Sequence, residues 1–248
     1  MHTAARLLMR WRLAASALLV ALLVAPAWQL GANADVPKFG ETLPLAIKFF
    51  EAQMSGEVPA WSYATQTHEW AEHGAWRSNS HLQDGQPSYE LKGGWYAGHI
   101  KNTQTIAASA SVLAFAGLTW ETTFKGEGLY LELLRNVDWA AQYIEKCSVT
   151  GNKFVAQVGD HFTEEAYWGG PERAPYSLVK YSSGWRPVYT IDLEAKCDGA
   201  DVLSEAVAAL AGAGLLHLKA SSPDTARGNA LIEKAKQLWA VTKDINAV

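Results

Sequence analysis

The sequence predicts an all-α domain in which long apolar helices alternate with long, aromatic, irregular loops. Three observations carry this. Apolar residues recur at helical spacing, or run almost unbroken, over 103–120, 127–147 and 200–219. Strand signals are weak throughout. Segment 54–102 has little period and is rich in Gly, Ser, Trp, His and Asn, and segment 148–198 is again irregular and rich in aromatic residues. Segments of that length without regular structure are unusual in a compact domain and are often functional.

The elements follow in order. Arg6, Arg10 and Arg12 precede an apolar run from Leu13 to Ala25, and Ala32-Asn33-Ala34 is a small-x-small site. This is a signal-peptide pattern over 1–34, with cleavage expected after Ala34 and the domain over 35–248. The expected location is extracellular, with an uncleaved signal anchor as the alternative. No stable membrane span is expected, because the run falls short of the ~20 residues that cross a bilayer comfortably. Residues 42–53, "TLPLAIKFFEAQ", predict a short buried helix with Pro44 near its N-terminus. Residues 103–120 are apolar almost all round and predict a buried helix. Over 127–147, Leu129, Leu133, Val137, Ala140 and Ile144 mark the apolar stripe of an amphipathic helix. Residues 200–219 form an Ala/Leu helix, and Ser222 to Asp224 cap a last helix running to about 242.

The 248 residues carry a net charge of −4 and no basic stripe, which gives no support to nucleic-acid binding. Eleven tryptophans have two readings: core anchors, or stacking platforms for flat ligands. Cys147 and Cys197 are a candidate disulfide in an oxidising compartment, or two unpaired thiols. No His or Cys lies at zinc-site spacing, so no metal and no cofactor is expected.

Seven stretches in order then resemble glycoside hydrolase family 9. They are "AIKFFEAQMSGEVP" (Ala46 to Pro59), "WRSNSHLQDG" (Trp76 to Gly85), "ELKGGWY" (Glu90 to Tyr96), "FVAQVGD" (Phe154 to Asp160), "YWGGPE" (Tyr167 to Glu172), "RPVYTI" (Arg186 to Ile191) and "GADVLSEAVAALA" (Gly199 to Ala211). The resemblance implies a barrel of helical hairpins, an (α/α)6 toroid with a cleft across one end. It implies inverting hydrolysis of a β-1,4-glucan such as cellulose as the family's activity.

The departures bear on the chemistry. After Trp-Tyr the family pattern is Asp-Ala-Gly-Asp; here "WYAGHIKN" lacks both aspartates while the flanks still match. Those aspartates activate the attacking water, and an inverting enzyme needs such a base about 6.5–9.5 Å from a carboxylic acid. The family's His-His-Arg segment and its acid-bearing Asn-Glu segment have no counterpart, and about five of its twelve barrel helices are recognisable, so a partial barrel is expected. The family's Asp-His before Ala-Tyr-Trp is replaced by Glu164-Glu165.

The resemblance therefore assigns no catalytic residue. It offers Trp95, Tyr96, Trp168, Arg186 and Tyr189 as candidate substrate-binding residues. Trp95 and Tyr96 either stack on a sugar ring or anchor the loop. Trp168 is a cleft contact or a structural residue, and Arg186 and Tyr189 are expected to brace the loop from below. His99 is available as a replacement base, but a loop-bonding histidine is the plainer reading. Glu164 and Glu165 read as a solvated pair, and Asp84 and Glu90 as structural. The expected partner is a β-1,4-glucan. This chain is expected to be inactive alone. The alternatives are a non-catalytic glucan- or wall-binding protein and a truncated product without independent function.

Overall fold

In a computed structural model, residues 39–66, 75, 77–164, 166–173 and 185–245 are described. The chain divides into two compact units, Met1–Phe39 and Gly40–Val248. Apart from Phe39, the first unit lies outside the described residues, and with it the signal segment and the expected cleavage after Ala34. Five long helices dominate what is described: α1 (Phe39–Ala52), α2 (Thr103–Thr119), α4 (Tyr130–Lys146), α6 (Ala200–Lys219) and α7 (Thr225–Thr242), with short helices α3 (Glu121–Gly126) and α5 (His161–Glu164) between them. Each long helix falls close to where the periodicity places it, but α1, expected to be buried, leaves Leu45 and Phe49 exposed and buries Ile47.

The ends of these helices have local causes. Asn102 caps α2, its Oδ1 accepting from Thr105 N at 2.9 Å. Asp224 caps α7 by accepting from Arg227 N at 2.9 Å. Each cap satisfies one of the N–H groups that the first turn leaves without an intrahelical partner. Helix α1 begins three residues before the expected start, so Pro44 lies inside it. The proline ring has no N–H, so one backward hydrogen bond is lost there.

The core is built on small residues. Helix α6 packs against both α2 and α7. Ala107, Ala110, Ala114 and Gly117 of α2 are buried, as are Ala206, Ala209, Gly212 and Ala213 of α6. A Cβ on Gly212 would stand 2.6 Å from Ala114 Cβ, so the two helices approach as closely as their backbones allow. Helix α4 closes this layer with Leu133, Val137, Ala140 and Ile144 buried, the stripe read from the sequence. Helix α2 differs from expectation. It is apolar all round, yet Val112 and Phe115 are exposed, so one of its sides lacks cover among the described residues.

The irregular reading of 148–198 needs correction. A small antiparallel sheet forms there from β1 (Lys101–Asn102), β2 (Ser148–Val149), β3 (Lys153–Val158) and β4 (Val188–Asp192). Strand β3 pairs with β4 along its length, and with β2 at its start and β1 at its end. Phe154, Val155 and Val158 are buried with Ala156 and Gln157 between them, so burial does not alternate residue by residue. That pattern, and a register shift between Val155 and Gln157, hide the strand from a period-two search.

The candidate disulfide is also corrected. Cys147, at the end of α4, is buried and its Sγ lies 3.7 Å from Thr103 Oγ1. Burial pushes its thiol up to about 12, so it stays protonated. Cys197 is exposed in the loop before α6, and neither cysteine is paired.

Gly212→Leu should force α2 and α6 apart and cost about 1–3 kcal/mol in urea unfolding. Ala208→Leu, on the exposed side of α6, should cost far less; equal losses would mean that the close seam is not limiting.

Candidate functional site

The site forms where the shortened turn meets the end of the sheet. Ala97 N donates to Ile100 O at 2.9 Å, closing a turn of Ala97, Gly98, His99 and Ile100. Gly98 has φ +70°, a left-handed conformation that glycine adopts without a Cβ clash. The chain then enters β1, which turns Lys101 inward and leaves Asn102 to cap α2.

Beneath the turn lies a buried ionic cluster. Lys101 Nζ stands 2.7 Å from Asp84 Oδ2. Arg186 Nη1 donates to Asp84 Oδ1 and Oδ2 at 2.8 and 2.9 Å. Arg186 Nε donates to Glu164 Oε1 at 2.8 Å, and its Nη2 donates to the carbonyl of His99 at 2.5 Å. One guanidinium thus holds the Asp84 loop, helix α5 and the turn together. Gly159 makes room for it, since a Cβ there would come within 2.6 Å of Arg186 Nη2. Burial pushes the Asp84 carboxyl up, but Lys101 and Arg186 beside it outweigh this and hold it below the usual carboxylate range. Tyr96 adds a polar chain: its hydroxyl donates to Ser80 Oγ at 2.9 Å, and its oxygen faces His81 Nδ1 at 2.5 Å. Burial first, and then the nearby Arg186, lower the His81 imidazole to about 3.

Above the cluster opens a cavity of about 360 Å³, lined by the turn and by His161, Glu164, Tyr167, Trp168 and Gly169. His99 ties its two walls together, with Nε2 3.0 Å from the carbonyl of Gly169 and Nδ1 3.4 Å from that of Glu164. Trp168 is 95% exposed, which leaves both faces of its indole open. Of the candidate substrate-binding residues, Trp168 alone lines this cavity. Trp95 and Tyr96 are 3% and 8% exposed; Trp95 packs on Phe50 with ring centroids 5.0 Å apart. They are placed as anchors of the loop. Arg186 is buried under the turn. Tyr189 is half exposed on β4 and donates to Asp160 Oδ2 at 3.2 Å.

The solvated pair of glutamates is a correction. Glu164 is buried against Arg186, because a guanidinium with two carboxylates around it draws both out of water. Glu165 lies outside the described residues. His161 and Tyr167, which line the cavity, were not among the candidates; His161 directly follows the "FVAQVGD" stretch and Tyr167 opens the "YWGGPE" stretch, and that placement was the available signal. The cavity has donors, acceptors and an open aromatic face. Among the described residues its one lining carboxylate is Glu164, which is committed to Arg186. No group of His, Cys, Asp and Glu among the described residues is arranged to hold a metal ion.

Helical hairpins with an aromatic pocket at their loop end define a class, the helical-barrel glycosidase scaffold. The comparisons make it specific. The profile of glycosyl hydrolase family 9 matches residues 39–247, and the chain belongs to that family. It is 33% identical to Endoglucanase B of Cellulomonas fimi over 228 residues, covering 91% of this chain and 20% of that protein. It is 33% identical to Endoglucanase 4 of a Bacillus strain over 203 residues, covering 81% of this chain and 28% of the relative. Among solved structures, the endoglucanase of the termite Nasutitermes takasagoensis superposes with a TM-score of 0.71 at 30% identity, over 85% of this chain and 44% of the other. A cellulase of C. cellulolyticum in complex with cellobiose gives 0.72 at 25% identity, over 87% and 46%. The chain therefore spans less than half the length of these relatives.

Asp84→Asn should leave Arg186 and Lys101 short of a counter-charge and cost about 3–5 kcal/mol of stability, read by chemical denaturation. Acid should act through His81. Its folded pKa, about 3, lies below the 6.5 usual for a histidine, so the unfolded chain takes up the proton first. Unfolding free energy should fall as pH drops from 6.5 towards 3, and His81→Asn should flatten that limb; an unchanged slope would remove His81 from the explanation.

Proposed function

We propose that this chain is a family 9 polypeptide that holds a β-1,4-glucan at the pocket over the 97–100 turn, and that its own residues do not hydrolyse the glycosidic bond. One observation carries the reading: the turn where the family pattern has two aspartates presents Gly98 and His99, and the pocket carboxylate is locked under Arg186. Inversion requires a carboxylate free to activate water opposite a protonated carboxylic acid, about 6.5–9.5 Å away. Glu164 cannot serve as that base while it accepts from a buried guanidinium. Both ring nitrogens of His99 face backbone carbonyl oxygens of the pocket wall, one of them as donor, so the imidazole is held against the wall. What persists is recognition: an open indole face, a tyrosine and two histidines around a cavity suited to a sugar ring. The endoglucanase relatives, and the cellobiose complex of one structural neighbour, supply the substrate class. The pattern of the first 34 residues adds export, with cleavage after Ala34.

The test is paired. Cellohexaose should change the chain's tryptophan fluorescence on binding, and Trp168→Ala should weaken that binding on the order of tenfold. Carboxymethylcellulose should yield no reducing ends, with or without Asp inserted after Tyr96 and after Gly98, because the pocket's one carboxylate among the described residues, Glu164, is held by Arg186 and is not placed to protonate the departing oxygen. General acid and base each contribute roughly 10²–10⁴-fold to such a step. Hydrolysis by the unmodified chain would overturn the reading. For export, N-terminal sequencing of secreted material should begin at Asp35; intact chain in the membrane fraction would favour the anchor.

A further inference from the structure

His99 stands between the two walls of the pocket and faces an acceptor at each ring nitrogen. Nε2 lies 3.0 Å from the carbonyl oxygen of Gly169, and Nδ1 3.4 Å from that of Glu164. A neutral imidazole carries one N–H, so it donates to one carbonyl and turns a lone pair towards the other. The imidazolium carries two N–H groups and donates to both. The ring of Tyr167 lies against the imidazole, with centroids 5.7 Å apart and planes at 39°. An aromatic face within about 6 Å of a cation attracts it. The ionic groups packed around His99 are balanced. Arg186, on β4, donates to the His99 carbonyl; Arg186 and Lys101 are matched by Asp84 below and Glu164 on α5, two charges against two. His81, three residues before Asp84, is kept neutral by burial. The other titratable groups that line the pocket among the described residues are the His161 imidazole and the Tyr167 phenol. His99 itself is half-buried, so a proton from solvent reaches it.

We propose that His99 is a positioning residue worked by a proton: as imidazolium it fastens the 97–100 turn to the Glu164 and Gly169 carbonyls and sets the Trp168 indole for a glucan ring, and as neutral imidazole it releases one of the two. Trp168 precedes Gly169 directly, and its indole is almost wholly exposed, so the backbone that His99 holds largely decides where it points. The sugar's part in this rests on the reading of the pocket as a glucan site; the clasp itself does not. The sign follows from the count of donors. The wall tied at both carbonyls holds a proton that the half-tied wall lacks, so acid favours the tied wall and base releases it. A glucan that prefers the tied wall takes up that proton as it binds. Affinity should therefore rise as pH falls through the ordinary histidine range, about 6.5. His81 and His99 then act in opposite directions: acid weakens the fold through the first and tightens the pocket through the second.

Two readouts on the full chain separate the clasp from the sugar. In the ligand-free protein, the ring ¹⁵N signals of His99 report which nitrogens carry protons, and the indole N–H signal of Trp168 reports the wall; both are assigned by triple-resonance NMR in the unmodified chain. Between about pH 8 and pH 5, on either side of the ordinary histidine range, the Trp168 signal should move in step with the His99 titration. It should stand still in His99→Gln, whose amide can donate to a carbonyl but takes up no proton. With cellohexaose as the probe, the dissociation constant should fall on the order of fivefold over the same range, because a charge-assisted hydrogen bond is roughly twice as strong as a neutral one. His99→Gln should bind at the alkaline level throughout, and His161→Gln should keep the dependence. Circular dichroism at each pH keeps the His81 effect on folding apart from the binding curve. A Trp168 signal indifferent to His99 protonation would overturn the proposal, and so would a pH dependence that survives in His99→Gln or vanishes in His161→Gln. Absence of cellohexaose binding at every pH would sink the glucan reading instead, and the ligand-free Trp168 signal would still decide the clasp.

Discussion

The Arg186 guanidinium is the interaction on which the rest of the site depends. It lies at the foot of β4, is almost fully buried, and spends its donors on Asp84, Glu164 and the carbonyl of His99. Those partners lie 102, 22 and 87 residues away in sequence. A planar fork with five donors can join three separate segments in one plane, which a lysine ammonium could not do with the same direction. The arrangement is stable only as a set, because each charge withdrawn from water needs its counter-charge in place. Lys101 completes the balance on Asp84. Among the described residues, every contact that fixes the turn from beneath comes from Arg186 and the groups it binds, and none comes from an acidic side chain on the turn itself.

The pocket above the turn is therefore held largely by residues that do not face into it. The pocket walls are held by groups beneath and beside it. The backbone of the turn is fixed by Ala97, Ile100 and the Arg186 contact, and the far wall by His99 reaching Gly169. Gly98 supplies the left-handed corner. None of these contacts requires a carboxylate at the surface of the turn. The residues that position the turn are distinct from the residues that line the pocket above it, apart from His99 and Glu164, which do both.

Much of the fold was legible in the sequence because helices announce themselves locally. The stripe of Leu133, Val137, Ala140 and Ile144, the alanine-rich α2 and α6, and the Asp224 cap are each written within a few residues. The sheet was not legible: β1 and β2 are two residues long, and β3 is interrupted by an irregular register that breaks its alternation. Of the site, the turn and the missing aspartates could be read, because a motif with two gaps is a local fact. The fate of Glu164 could not. Whether a glutamate is solvated or buried depends on Arg186, 22 residues further on, and nothing in its neighbours signals that pairing. Trp95 and Tyr96 show the same limit: motif position marks them as important, and only packing distinguishes an anchor from a platform.

The sheet has a consequence for how this chain behaves in solution. Strand β3 is covered on both edges, by β4 on one side and by β2 and β1 in succession on the other. The outermost strands are two, two and five residues long. Long, flat, unpaired strand edges are what recruit other chains into cross-β stacks. Among the described residues the outer edges of this sheet are short, five residues at most. If the molecule associates, it will do so through the side chains of its helices, and such assemblies should dissolve with mild denaturant and lack the ordered backbone ladder of a fibril.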